Sequence, residues 1–188
     1  ESTGVPIKNA NSEYEGLTEI DLSNNINLEE VNLSQNRISS LDVSKLKKLK
    51  ELLFTWTHIE KLSLENLTSL EKVTGQSKQL KEMSVKNNPE LNRISVDNSG
   101  LEKVTFKNNP KLEYISLERN KSLKNIDVSD ITSLKKLQLR SSAVETLDIS
   151  KNSELKLLDI GQNPIKELNV SNNKELEEFI ANGSGLET

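Results

Sequence analysis

The chain has 188 residues, of which 33% are hydrophobic and only 3% aromatic, which is low for a compact globular core of this length. Its formal net charge of −4 disfavours nucleic acid as a partner, because nucleic-acid binding requires concentrated basic surface. The chain contains no cysteine, which excludes disulfides and thiol chemistry. No apolar run approaches the length of a membrane span. A repeat protein tolerates such a composition, because each unit buries only a few inward-facing side chains.

Residues 1–16 carry no repeat and contain Gly4, Pro6 and Gly16, which favour turns. We interpret this stretch as a tail or the remnant of a preceding region. A periodic pattern begins at Leu17 and continues to the end, so we assign residues 17–188 to one array of about eight repeats, truncated at its C-terminal end. We therefore expect the chain to be a fragment of a longer protein, with targeting signals outside it.

A leucine opens each unit of the array. These leucines stand 21 residues apart, with one interval of 22: Leu28, Leu49, Leu70, Leu91, Leu112, Leu134, Leu155 and Leu176. The extra residue lies between Glu118 and Leu123, where a loop would accommodate it. Such spacing predicts a solenoid, in which each unit packs against its two neighbours.

Each unit has two halves with the same apolar spacing, as in LEEVNLSQNR followed by ISSLDVSKLKK over residues 28–48. In each half, apolar and polar residues alternate, which turns one face of a short strand inward. Stacked units then form parallel sheets with strands about 4.8 Å apart. The sequence thus predicts a right-handed, β-rich superhelix with a parallel sheet on the concave face, short strands on the opposite face and very little helix.

The stretch LEEVNLSQNRI, residues 28–38, matches the pattern LxxLxLxxNxL at every position. In this the chain resembles leucine-rich repeat proteins. Its short unit, with LDVS at residues 41–44, is similar in style to bacterial surface repeats of the internalin-like group. The resemblance implies an extracellular or cell-surface location in a bacterium and a ligand on the exposed face of the first-half strands. The sequence shows no internalin-type helical cap or immunoglobulin-like segment, so a role in host-cell invasion is not implied.

The asparagine at the ninth position of the pattern is kept at Asn36, Asn120 and Asn163. Other units replace it, with Thr57, Lys78, Ser99, Ser142 and Ser184. A second set recurs in the second halves: Asn88, Asn109, Asn152 and Asn173. Asparagine side chains satisfy backbone groups in turns that no strand reaches. We therefore interpret both sets as structural.

One core position breaks the apolar pattern. Gly75 stands where other units have Leu33, Phe54 or Val96, and a glycine there removes a core side chain. Phe54, one unit earlier, is the largest residue of this column. We predict that the Phe54 ring leans into the space that Gly75 leaves.

Residues for catalysis are few. The single histidine, His58, follows a predicted strand and has no recurrent acid partner, so we interpret it as a surface residue. Four aspartates recur in the second halves and invite a calcium interpretation: Asp21, Asp42, Asp127 and Asp148. The same position holds Ser63, Ser84, Thr105 and Asn169 in other units, which favours plain solvation. We expect no enzymatic activity, no cofactor and no metal.

Binding is better supported than catalysis. The positions around the inward apolar residues of the first-half strands form a continuous exposed face. The candidate ligand-binding residues on this face are Glu51, Leu53, Thr55, Trp56, Lys72, Arg93, Tyr114, Arg119, Lys136 and Arg140. Trp56, the only tryptophan, is either a binding hot spot or a lid that packs over the Gly75 gap.

The five basic members of this set suggest a stripe through an acidic protein, which is either a solvated surface or a site for an acidic protein or an anionic glycan. The leading interpretation is a non-enzymatic, protein-binding module of a bacterial surface or secreted protein. A structural spacer without a ligand is the first alternative, and a carbohydrate-binding adhesin is the second. Nucleic acid is not expected as a partner.

Overall fold

The structure, a computed structural model, describes residues 16–187 and, before them, the backbone of Ile7–Lys8 and Tyr14–Glu15. In this part of the chain all regular structure is β-strand. The strands in chain order are β1 (Ile7–Lys8), β2 (Tyr14–Glu15), β3 (Glu30–Asn32), β4 (Glu51–Thr57), β5 (Lys61–Glu65), β6 (Lys72–Ser77), β7 (Glu82–Lys86), β8 (Arg93–Val96), β9 (Lys103–Lys107), β10 (Tyr114–Ser116), β11 (Lys136–Gln138), β12 (Leu157–Asp159) and β13 (Glu178–Ile180).

Two parallel sheets account for the repeat array. The first-half strands form an eight-stranded sheet in the order β13-β12-β11-β10-β8-β6-β4-β3, and β5, β7 and β9 form a three-stranded sheet from the second halves. Neighbouring strands pair one repeat apart, as in Val73 with Ile94 and Ile94 with Ile115. The predicted solenoid, with a parallel sheet and short strands opposite it, is confirmed.

Within the predicted N-terminal tail, β1 and β2 pair antiparallel, with Ile7 opposite Glu15. Residues 1–6 and 9–13 of this tail lie outside the described residues, as does Thr188. The proposed division into a tail and an array ending at residue 188 therefore stays a prediction.

The opening leucines form one stacked column in a continuous core. Those of the inner units are fully buried: Leu49, Leu70, Leu91, Leu112, Leu134 and Leu155. Leu28 and Leu176, which open the first and last units, are only partly buried and pack against this core. Each coil thus buries its leucine against the coils before and after it, as the spacing predicts.

The second halves switch between strand and turn. One position of the second half, the position of the recurrent aspartates, varies between units. The second halves form strands where this position holds Ser63, Ser84 or Thr105. Where it is aspartate or asparagine, the side-chain Oδ1 accepts the N–H of the serine two residues later at 2.8–2.9 Å, as Asp42 does from Ser44. This Asx turn competes with strand pairing. The recurrent aspartates therefore have a turn-forming role, and the described residues contain no acidic or histidine cluster that could hold a metal.

Acidification should weaken these turns. Hydrogen bonds from the serine N–H and hydroxyl lower the pKa of Asp21, Asp42 and Asp148; for Asp127 the hydroxyl contributes more than the N–H. Because the folded-state pKa is depressed, the stabilisation is present above the unfolded pKa of about 3.9 and is lost as the pH falls through the folded value.

We expect the fourfold variant D21N/D42N/D127N/D148N to lose less unfolding free energy than the wild type between about pH 6 and about pH 3. Asn169 already forms the same turn with Ser171 at 2.9 Å, so asparagine preserves the geometry without titrating. Urea unfolding at both pH values measures the difference. Equal acid sensitivity in the two proteins would show that these turns do not contribute to the pH dependence.

The asparagines form two structural ladders at the turns, as predicted, and in the inner units their side chains are buried. In the ninth-position ladder, the Asn163 amide donates to Leu139 O at 2.8 Å and to Ile160 O at 3.0 Å. In the other ladder, Asn88 donates to Leu64 O at 2.9 Å, and its Oδ1 accepts the N–H of Leu67 at 3.0 Å. These side chains satisfy backbone groups that successive coils would otherwise leave unpaired.

One assignment in the ladder is wrong. Ser77, not Lys78, occupies the ninth-position column in the third unit. Ser77 pairs with Thr57 after a register shift in the sheet, and it is buried, whereas Lys78 is exposed. Between the strand and the ladder residue, the third unit has one residue fewer than the second unit. The constant interval of 21 residues between opening leucines does not reveal this difference.

The predicted contact between Phe54 and Gly75 is confirmed. The two residues are register partners on β4 and β6, and Phe54 is fully buried. A Cβ added to Gly75 would overlap the Phe54 ring carbons Cζ, Cε1 and Cε2. The ring therefore occupies the volume that a side chain at position 75 would need.

Candidate functional site

The exposed face of the eight-stranded sheet is bordered by two rows of side chains. The start row holds the outward residue at the beginning of each strand: Glu30, Glu51, Lys72, Arg93, Tyr114, Lys136, Leu157 and Glu178. In every unit but the third, the end row holds the left-handed residue that precedes the ninth-position ladder: Gln35, Trp56, Asn98, Arg119, Ser141, Gln162 and Gly183. The rows are separated by about 16 Å of strand, five residues at roughly 3.3 Å each.

All ten predicted site residues lie on this face or its borders. The start row contains Glu51, Lys72, Arg93, Tyr114 and Lys136. Between the rows lie Leu53, Thr55 and Arg140, which are partly buried, and the end row contains Trp56 and Arg119. The solenoid thus brings together residues up to 89 positions apart, from 51 to 140, by stacking them one repeat at a time.

Trp56 projects because it is a bulged residue. The register between β4 and β6 shifts on either side of it, so Thr55 pairs with Gln76 and Thr57 with Ser77, which leaves Trp56 without a partner. Its backbone is in the left-handed region, with φ of 60°, as is every other residue of the end row. A bulky side chain is disfavoured there, since glycine and asparagine are the residues that adopt this conformation readily.

The Trp56 side chain is 63% exposed, the most exposed large apolar side chain among the described residues. Its indole Nε1–H donates to Gln76 Oε1 at 3.0 Å, which fixes the ring orientation. The ring borders a shallow hollow of about 240 Å³ that also contacts His58 and Gln79. Because Phe54 already fills the space at Gly75, the interpretation of Trp56 as a lid over that gap is wrong.

Tyr114 is anchored on both sides in the start row. The Arg93 guanidinium lies over its ring, with Cζ 3.8 Å from the ring centroid, a cation–π geometry. The Tyr114 hydroxyl donates to Gln138 Oε1 at 2.6 Å. These contacts restrain Arg93 and Tyr114 in one arrangement, which a sequence pattern could not reveal because Gln138 lies on the neighbouring strand two positions further along.

Two acidic residues of the face, Asp97 and Asp159, accept hydrogen bonds within the protein. Asp97 accepts hydrogen bonds from the Ser95 hydroxyl at 3.0 Å, the Ser116 hydroxyl at 2.6 Å and the Glu118 N–H at 2.8 Å. Asp159 is only 4% exposed and accepts the Gly161 N–H at 2.9 Å. Sequence analysis did not single out this network, which depends on small hydroxyl residues at adjacent positions of neighbouring strands.

Burial raises the pKa of the Glu118 carboxyl above its ordinary value, and the charges of Asp97 and Asp159 act in the same direction. Arg119 and Arg140 oppose this shift. Because the folded-state pKa is raised, ionised Glu118 opposes folding at neutral pH, the reverse of the turn aspartates.

The five basic residues do not form a single stripe. Lys72, Arg93 and Lys136 lie in the start row, whereas Arg140 lies further along the strands, with Nη1 3.9 Å from Asp159 Oδ2 and 3.3 Å from Asn182 Oδ1. The fifth, Arg119, is in the end row. It borders a separate shallow hollow of about 580 Å³ lined also by Lys121, Ser141, Ser142 and Gln162. Their places in the repeat separate the two groups, since Lys72, Arg93 and Lys136 are the third residue of their units, Arg140 the seventh and Arg119 the eighth.

His58 is exposed at the turn after β4, as predicted. Among the described residues it forms no side-chain hydrogen bond or ion pair with an acid that would make it a general base. The described residues also contain no helix long and apolar enough to cross a membrane.

The stacked 21-residue units, the parallel sheet and the buried asparagine ladders define a leucine-rich repeat solenoid. No protein-family model matches the chain, and neither does any curated protein sequence. Among solved structures, the chain is similar to the functional domain of InlJ from Listeria monocytogenes, which includes a cysteine ladder. The identity is 25% and the TM-score 0.56, over 86% of this chain and 41% of that one.

The leucine-rich repeat domain of LRIM1 has the same fold at 13% identity, with a TM-score of 0.55 over 84% of this chain and 67% of that one. An internalin, InlF, from the F2365 strain of L. monocytogenes is 19% identical with a TM-score of 0.40, over 87% of this chain and 56% of that one. At 41%, this chain spans less than half of the length of the InlJ chain. The predicted internalin-like leucine-rich repeat fold is confirmed.

Proposed function

We propose that this chain is a non-enzymatic, protein-binding module of a bacterial surface or secreted protein. The partner contacts the exposed face of the eight-stranded sheet, from Trp56 in the end row to the basic residues of the start row. Leucine-rich repeat structures typically mediate protein–protein interactions, and the similarity to InlJ supports both this class and a bacterial source.

The exposure of Trp56 carries the proposal. An indole that is 63% exposed costs solubility, and its left-handed backbone costs stability, so folding alone gives no reason for a tryptophan at this position. Other units place Gln35 and Gln162 at the equivalent position with the same backbone conformation. Tryptophan is the residue most enriched in binding hot spots, because it buries a large rigid surface at low entropic cost.

The neighbourhood of Trp56 suits a protein partner. Leu53, on the same strand, is a partly buried apolar residue at an outward position, and Gln76 holds the indole in place. Preorganised apolar side chains surrounded by polar groups are typical of the centre of a protein interface.

Selection of a random dodecapeptide phage library on the wild-type chain tests the proposal. We expect the enriched peptides to lose at least tenfold in affinity, measured by surface plasmon resonance, on Trp56→Gln. Glutamine is compatible with this position, since two other units have it there. Ile26→Ala is the matched control, because Ile26 is 55% exposed but lies outside the sheet.

Peptides that bind Trp56→Gln and the wild type equally would contradict the proposal, and so would a selection that enriches no peptide. The latter result would favour a structural spacer. The ion pairs between successive coils, such as Lys81 with Glu102 at 2.7 Å and Lys111 with Glu90 at 2.6 Å, fit a spacer because they link each repeat to the next.

A further inference from the structure

The start row contains a short basic segment that its surroundings do not neutralise. Lys72 and Arg93 are register partners on neighbouring strands, Tyr114 follows Arg93, and Lys136 follows Tyr114. Like charges on adjacent strands, about 4.8 Å apart, repel each other. Glu51 precedes Lys72 in the row, yet none of the ion pairs in the described part of the chain includes Lys72, Arg93 or Lys136.

The lysines that immediately precede a start-row residue in the sequence do form ion pairs. Each pairs with a glutamate one repeat away: Lys50 with Glu29 at 2.6 Å, Lys135 with Glu113 at 2.7 Å, and Lys156 with Glu177 at 2.9 Å. The repeat therefore supplies compensating acids to the column beside the start row, but leaves the three cations that face outward on the sheet without them.

Two of the acids that lie beyond these cations along the strands are engaged within the protein. The Asp97 carboxylate accepts three hydrogen bonds from the protein, and Asp159 is nearly buried. Arg93 is held against the Tyr114 ring, and its guanidinium takes part in no ion pair in the described part of the chain. Despite the net charge of −4, the row from Lys72 to Lys136 carries three positive charges and no acid.

We propose that the start row from Lys72 to Lys136 docks an extended, acidic segment of the protein partner, an inference that rests on the proposed function. From Lys72 to Lys136 the row crosses three strand gaps, about 14 Å. Four residues of extended peptide span about the same length, so carboxylates at positions i, i+2 and i+4 of such a segment match the row. Leu157, the partly buried residue that follows Lys136, offers an apolar contact at the end of the row, which suits a peptide better than a sulfated glycan.

Fluorescence anisotropy with a labelled dodecapeptide of alternating glutamate and threonine tests this directly. We expect the wild-type chain to bind it and the triple variant K72Q/R93Q/K136Q to bind at least about tenfold more weakly. The variant K50Q/K135Q/K156Q removes the same net charge from lysines already paired with glutamate, and it should stay within about twofold of the wild type. Raising the salt concentration from about 0.03 M to about 0.3 M should weaken wild-type binding. It should also reduce the difference in affinity between the wild type and K72Q/R93Q/K136Q.

Three results would overturn the inference. The acidic peptide does not bind, or both triple variants lose affinity for it equally. In the third, a heparin hexasaccharide binds instead of the peptide and loses affinity in K72Q/R93Q/K136Q. Trp56→Gln separates these results from failure of the proposed function. If library-selected peptides still depend on Trp56 while the acidic peptide does not bind, the sheet face binds protein but its partner is not acidic. If neither depends on the face, both proposals fail.

Discussion

Replacing Gly75 with valine should lower the free energy of unfolding by about 3 kcal/mol or more, because the new side chain and the Phe54 ring would share one volume. Both residues are in the core of the eight-stranded sheet, and Phe54 has no exposed surface into which to move. Urea denaturation followed by circular dichroism measures the loss. Thr74→Val is the matched control: it adds a branched apolar side chain to the same strand on the outward side, where position 74 is only partly buried.

Restoring the volume balance should recover much of that loss. Phe54→Val alone should cost about 2–4 kcal/mol by leaving a cavity at Gly75. In the double variant F54V/G75V the two valines replace the ring, and the neighbouring units already have Leu33 and Val96 at this position. We expect the double variant to lose less free energy of unfolding than the two single variants lose together, by more than about 1.5 kcal/mol. Additive effects would mean that the two side chains do not compete for the same space.

Asn120→Ala should have a comparable effect from a different cause. The Asn120 amide donates to Val96 O and Leu117 O, each at 2.9 Å, and its Oδ1 accepts the Ser99 N–H at 3.2 Å. Asn120 is fully buried, so alanine leaves Val96 O and the Ser99 N–H without this partner away from water, while Leu117 O keeps its hydrogen bond from the Ser142 hydroxyl. We expect a loss of about 3 kcal/mol in the free energy of unfolding, measured by urea denaturation.

Asn120→Ser separates hydrogen bonding from side-chain volume. Ser142 already occupies the same ladder one unit later, where its hydroxyl donates to Leu117 O at 2.8 Å and accepts the Asn120 N–H at 3.2 Å. Serine at position 120 should therefore keep part of the network and cost about 1 kcal/mol. If the serine and alanine variants were equally stable, the ladder would act through packing alone.

The main features of the fold could be predicted because each rests on a local repeat. Alternating apolar residues at Leu28, Val31 and Leu33 specify an inward face, and repetition every 21 residues specifies stacking. The Phe54–Gly75 contact followed from the same register, since a missing side chain must be compensated by the strand beside it. The buried asparagines followed from the need of each coil to satisfy its turn.

Features set by a single residue's backbone could not be predicted in this way. The Asx turns at Asp42 and Asp127 replace strands because their carboxylates capture a nearby N–H, a competition that apolar periodicity does not register. The shift that places Ser77 in the ladder arises from the bulge at Trp56, where one strand has a residue that its neighbour lacks. The left-handed φ of Trp56 is shared by the equivalent residues of other units, such as Gln35 and Gln162.

The candidate site was predicted as a set of residues but not as an arrangement. Outward positions are fixed by strand alternation, so Lys72, Arg93 and Tyr114 could be placed on the face. The separation of Arg119 from these residues follows from its place in the repeat, the eighth position against the third. The stacking of Arg93 on Tyr114 depends on side-chain rotamers, which the spacing of the repeat does not encode.

The most direct measurement of the central claim uses the single indole of the chain. In a ¹⁵N–¹H correlation spectrum, Trp56 contributes one indole N–H signal, since it is the only tryptophan. On addition of a library-selected peptide, this signal should shift or broaden together with backbone signals of Glu51–Thr57, Lys72–Ser77 and Arg93–Val96 on the exposed sheet face. An unchanged indole signal, with shifts confined to the opposite strands Lys61–Glu65, Glu82–Lys86 and Lys103–Lys107, would contradict binding on the exposed face of the eight-stranded sheet.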